Sequence, residues 1–309
     1  MNSPSNAMPG SLEPSRTDAA EISIVRSLYW SVRRELWESR SIYLAPLAVA
    51  GLFLVGFAAS LVRLPSQMRA TLALDPMKQQ DLIERHYDLA ALLLMGTFLV
   101  VAIFYCLDAL HGERRDRSIL FWKSLPVSDF TVVMSKALIP LLLLPLITWT
   151  ITVALQLVML LLSTVVLLAT GQSVSALWTH VPIVRMSMLL LYHLVAMHGL
   201  IYAPFYSWMM LVSGWARRAT FLWAALPPLV IGFFEKIAFN TSYFSGMLLE
   251  RFAGGPETVS YPAPSSMMQN MVPPSMTMFL ISPSLWVGLV VSAIFLAAAV
   301  RLRRYQGPV

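Results

Sequence analysis

Between Arg40 and Arg301 the chain alternates long stretches almost free of charge with short clusters of Arg and Lys. A bilayer core of about 30 Å takes roughly 20 apolar residues to cross as a helix. Several of these stretches reach that length in Leu, Val, Ile, Phe, Met and Ala. The pattern predicts an all-α integral membrane protein. Composition agrees: 57% of residues are hydrophobic and 12% charged, against about 25% charged in a soluble domain. No hydrophilic segment is long enough to form a globular domain, so residues 24–309 read as a single membrane domain. Residues 1–23 are rich in Ser, Pro and Ala and lack the apolar centre of a signal peptide. They are expected to form a disordered cytosolic tail.

The charge-free intervals place six spans at about 41–62, 89–110, 138–169, 186–213, 219–239 and 285–300. Pro140 and Pro145 are expected to kink the third, and Pro204 and Pro227-Pro228 to bend the fourth and fifth. An even number of spans puts both termini on one side. With that alternation, 15 basic residues fall on the side of the termini and 7 on the other, so the excess of Arg and Lys predicts cytosolic termini. The formal charge of +6 does not point to nucleic acid, because the basic residues sit at the ends of apolar runs rather than on one face. The only cysteine, Cys106, lies in an apolar run, which excludes an intrachain disulfide or a cysteine metal cluster.

Two segments on the cytosolic side carry more than topology. Residues 24–40 set Leu28, Trp30, Val32, Leu36 and Trp37 among Arg26, Arg33, Arg34 and Arg40, the composition of a helix lying in the interface, with Arg reaching anionic headgroups. Trp30, Arg33, Arg34, Trp37 and Arg40 are its expected anchors, and it reads as a lateral elbow before the first span. The second segment, 113–136, opens with charge, continues with Ile119, Phe121, Trp122 and Leu125 at helical spacing, and is stopped by Pro126. A short helix here would rest its apolar edge on the membrane and show Glu113, Arg114, Asp116 and Arg117 to a cytosolic partner.

Glu113, Ser118, the run Leu125-Pro126-Val127-Ser128 and Lys136 give this loop its resemblance to the permeases of type-2 ABC transporters. In that family an acidic, Ser/Thr-containing stretch and then Leu-Pro-Val-Ser follow the second of six spans. The topology and the interfacial elbow extend the resemblance over most of the chain, whereas the motif itself covers this loop. Where the family often has Gly before the Ser/Thr position, this chain has Arg117. The resemblance implies a coupling helix formed by Glu113, Arg114, Asp116, Arg117, Ser118, Trp122, Leu125 and Pro126, docked on a separate ABC ATPase that binds ATP and Mg. It also implies a homodimer or heterodimer of permeases in the cytoplasmic membrane and an exporter's direction of transport. Consistent with a separate ATPase, no G-x-x-x-x-G-K-[ST] phosphate loop occurs in the chain.

Glu235 and Lys236 fall about 16 residues after Arg218, so they lie either within the fifth span, each with its own partner, or at its headgroup end. His193 and His198 stand five apart, poor geometry for a shared metal on an α-helix, and are expected to make interhelical hydrogen bonds. Met267, Met268, Met271, Met276 and Met278 cluster in the external segment between the fifth and sixth spans. Thioethers bind Cu(I), but Met also fills apolar surface, and no metal site is assigned. Residues 241–252 of the same segment read as a short helix dipping into the outer leaflet. With no H-E-x-x-H or G-x-S-x-G and no catalytic companion for Asp108, an intramembrane enzyme is disfavoured. A membrane scaffold or sensor is the other alternative. For a transporter, the hydroxyl, aromatic and apolar spans suit an amphipathic, lipid-like or peptide cargo.

Overall fold

A computed structural model describes residues 24–124, 127–252 and 280–305. Among the described residues every regular element is helical. Six helices are long and apolar enough to cross a membrane: Ser41–Leu72, Lys78–Arg115, Asp129–Ala169, Ser175–Ile201, Thr220–Phe239 and Pro283–Tyr305. This is the architecture of a multi-pass membrane protein. The expected spans fall largely on helices, several of which overrun them, but the fourth, 186–213, is interrupted at Tyr202, and the membrane-length helix there is Ser175–Ile201. The expected tail, Leu125, Pro126 and the Met cluster lie outside the described residues.

Helix α1 (Ile24–Glu38) leads through Ser39 and Arg40 into α2 (Ser41–Ser60), which continues by a 3₁₀ turn into α3 (Leu64–Leu72). The charge of Arg63 ends the expected span but not the helix, since Pro65 occupies the first turn of α3, where an N–H is dispensable. Helix α4 (Pro76–Asp108) likewise starts 13 residues before the expected span, with Asp75 extended at its N-cap and Pro76 in its first turn. Two short helices follow, α5 (His111–Arg115) and α6 (Ile119–Ser124). Helix α7 (Asp129–Leu138) then starts nine residues ahead of the expected third span. The reason is local: Ser128 Oγ accepts the Thr131 amide at 3.1 Å and caps the helix.

From α7 the chain passes through a wide π-helical turn, Ile139–Leu143, into α8 (Leu144–Ala169). Pro140 lacks an amide hydrogen and crowds the preceding turn, which the wider winding accommodates. Gly171, at φ 70, closes α8. The short α9 (Ser175–His180) follows. Next come α10 (Ile183–His193), a second wide turn at Leu194–Ile201, and α11 (Ala203–Trp215). The two wide turns meet: a Cβ on Gly199 would lie 2.9 Å from the Leu141 carbonyl oxygen. Only glycine permits that approach.

Helix α12 (Thr220–Phe239) buries only Ala224. Asn240, left-handed at φ 51, turns the chain into α13 (Tyr243–Phe252). The last helix, α14 (Pro283–Tyr305), packs along α11, where Ser207 and Ser292 hydroxyls meet at 2.5 Å. The main core gathers Phe98, Tyr105, Cys106, Ile139, Leu144, Tyr206, Met210 and Leu285 where α4, the first wide turn, the start of α8, α11 and α14 meet.

Candidate functional site

Charge is scarce in this chain, and a large share of it converges at one end of the bundle. Helix α1 packs on α7, turning Val32 and Leu36 toward the core. Glu35, on the same inner side, is only 2% exposed. Its carboxylate lies 2.6 Å from an Arg34 guanidinium nitrogen and 2.9 Å from Lys136 Nζ, and it accepts the Tyr105 hydroxyl at 3.1 Å. Lys136 also lies 3.2 Å from Glu113 Oε1, while Glu113 Oε2 accepts Arg303 at 2.7 Å. Arg34 approaches the same Glu113 carboxylate at 3.5 Å, and Arg303 extends to Asp129 at 3.2 Å. Three cations and three carboxylates thus interlock, from α1, α5, α7 and α14.

An isolated charge at this depth would be expensive, but each here except the half-buried Asp129 has two or more opposite partners. Burial pushes the Glu35 carboxyl upward, and Lys136 and Arg34 more than offset it, holding Glu35 below the usual 4.5. The Trp122 ring covers the outer side of the Arg34 guanidinium at 3.8 Å. Beside the cluster, Arg114 donates to the Gly214 and Ala216 carbonyls at 2.6 and 3.3 Å, and Ser213 Oγ accepts the Leu110 and His111 amides at 3.0 and 2.9 Å. The end of α11 therefore holds the turn between α4 and α5.

This geometry corrects part of the expected coupling edge. Glu113 and Arg114 are buried, because Arg303 and Lys136 draw one inward and the α11 carbonyls draw the other. The exposed edge is made of Arg115, Asp116 and Arg117, followed by Leu120, Phe121 and Lys123. Ser118 is partly buried, its hydroxyl 3.4 Å from the Glu113 carbonyl. Arg117 has φ 58, the left-handed region where glycine is at ease. That is the position at which the resembled family often has Gly. Trp122 faces Arg34 rather than only an apolar surface.

The anchors divide too. Trp30, Arg33, Trp37 and Arg40 are exposed, but Arg34 turns inward to the carboxylates. Glu235 has its partner: it accepts the Tyr243 and Phe244 amides at 2.7 and 2.9 Å and the Thr241 hydroxyl at 2.9 Å, holding the first turn of α13. Lys236 is exposed. His193 and His198 lie closer than an α-helix would bring them, their rings 5.3 Å apart. The wide turn between them makes five residues close to one revolution. Among the described residues no group of three or more His, Cys, Asp or Glu side chains could hold a metal.

Glu35, Tyr105, Asp129 and Arg303 were not singled out in the sequence. One signal was present: Glu35 is an acid on the inner, apolar side of an amphipathic helix. Over the cluster opens a cavity of about 610 Å³, lined by charged side chains including Glu35, Glu113 and Lys136 and by apolar ones including Phe104, Leu107 and Phe221. No protein-family model, no curated protein and no solved structure matches the chain.

Proposed function

We propose that the chain is the membrane permease subunit of a type-2 ABC exporter in the cytoplasmic membrane. Two permeases, as a homodimer or heterodimer, would move an amphipathic cargo outward on energy from a separate ATPase that binds ATP and Mg. The observation that carries this reading is the two-sided α5–α6 segment. Its inner side is locked to α1, α7 and α14 through Glu113, Arg303 and Lys136. Its outer side leaves Arg115, Asp116, Arg117 and Lys123 exposed. A segment that receives force from a soluble partner and passes it to membrane helices needs both properties.

In this reading α5–α6 is the coupling helix, α1 the interfacial elbow and the ion cluster the joint between them. The cavity over the joint is lined by both charged and apolar side chains, which suits an amphipathic cargo. Purification with tagged candidate ATPases tests the reading. Charge reversal at Asp116 and Arg117 together should weaken ATPase binding while the permease still inserts and folds, because a mispaired interfacial charge costs several kcal/mol. Full ATPase affinity and full cargo-stimulated turnover in that variant would sink the reading and favour a scaffold.

A further inference from the structure

Arg26, Trp30, Arg33, Trp37 and Arg40 follow one another at intervals of four, three, four and three residues. That spacing sets the first four on one stripe of α1, roughly 16 Å long, and Arg40 follows in the turn into α2. All five are exposed. At the centre, the Arg33 guanidinium sits between two indoles, 5.2 Å from the Trp30 ring and 4.9 Å from the Trp37 ring. Arg34, one residue on, makes the instructive contrast. It too meets an indole, Trp122, but its N–H groups are met by Glu35 and Glu113. Arg33 has no carboxylate or carbonyl acceptor among the described residues. A guanidinium held through its faces keeps its in-plane donors free, in the fork geometry that matches a phosphate.

We infer that this Arg–Trp stripe binds the phosphate of anionic phospholipids, with Arg33 as its central clamp. Position favours lipid over other phosphates: Arg40 is followed at once by α2, where Leu44 and Leu47 are exposed apolar side chains. The stripe therefore stands at the mouth of a span, and Trp is the residue most at home at that depth. Arg26 lies about 10 Å along α1 from Arg33 and Arg40 just past the end of the helix, which lets neighbouring headgroups share the stripe. The inference rests on α1 lying at the membrane surface and not on transport.

The test is lipid selectivity of the full chain reconstituted in phosphatidylcholine vesicles with or without phosphatidylglycerol, read by association of spin-labelled phosphatidylglycerol against spin-labelled phosphatidylcholine. The native chain should prefer phosphatidylglycerol in low salt and lose much of that preference in high salt. Arg33→Gln should lower the preference roughly fivefold, the scale expected of one basic residue at an anionic surface, and Arg33→Lys should recover only part of it. Arg26, Arg33 and Arg40 all changed to Gln should bind both lipids alike. None of these residues belongs to the ion cluster, so an unchanged unfolding temperature is expected in each variant. Equal association of the two lipids with the native chain, or full selectivity in Arg33→Gln, would overturn the inference. So would displacement of phosphatidylglycerol by an oligonucleotide at equal phosphate concentration. ATPase binding is a separate readout, so loss of selectivity with binding intact distinguishes this site from the transporter reading.

Discussion

Among single residues, Glu113 bears the greatest consequence, since Arg34, Lys136 and Arg303 all lie within 3.5 Å of its carboxylate. Removing one member of a buried ion cluster leaves the others uncompensated, at a cost of about 3–5 kcal/mol. Glu113→Ala should therefore markedly lower the unfolding temperature in detergent. Asp116→Ala, with a side chain 64% exposed, should change stability by less than about 0.5 kcal/mol. Glu35 gives the cluster a pH signature. Its folded pKa is below 4.5, so its contribution is present above the unfolded value and is lost as pH falls through the lower folded one. The unfolding temperature should accordingly decline on the acid side of pH 4.5, and Glu35→Gln should lack that part of the decline. Arg117→Gly offers the opposite kind of change. An L-residue held left-handed is strained by about 1–2 kcal/mol, and after the added backbone entropy of glycine the variant should gain about 0.5–1 kcal/mol in thermal unfolding.

At the scale of elements, the wide turns at Ile139–Leu143 and Leu194–Ile201 behave as one crossing. Gly199→Ala places a methyl 2.9 Å from the Leu141 carbonyl oxygen, a contact that backbone cannot yield cheaply. It should cost about 1–3 kcal/mol, read as a lower unfolding temperature. The sequence made helix existence legible because uninterrupted apolar runs leave few other options. It misplaced the starts of α4 and α7, because charge density marks where hydrocarbon ends and not where a helix ends. Ser128 and Pro76, which set those starts, act through the backbone. The candidate site was half legible. Its outward residues stand in one charged run, but the cluster joins positions from 34 to 303, and no spacing rule reaches that far. The distance between His193 and His198 is not legible for a related reason, since a π-helical turn has no signature in hydropathy.

For the whole molecule, the cluster requires residues 34, 113, 129 and 303 to share one end of the bundle. In a Cys106→Ser background, an impermeant thiol reagent added outside intact cells should label Ser66→Cys. It should reach Lys123→Cys only after permeabilisation, and the reverse pattern would invert the orientation.

The joint between α1, α5, α7 and α14 also imposes an order in time. Arg303 emerges from the ribosome after Arg34, Glu113 and Lys136, so the earlier helices enter the membrane with the Glu113 carboxylate one strong cation short. Until α14 arrives, Glu113 has Lys136 and Arg34 but lacks its shortest ion pair, and Arg303 supplies it. The contact between α5 and α14 therefore forms only once α14 has joined the bundle. Arg303→Ala should accordingly yield full-length protein that the cell degrades faster than the native chain, measurable as a shorter half-life in pulse-chase labelling.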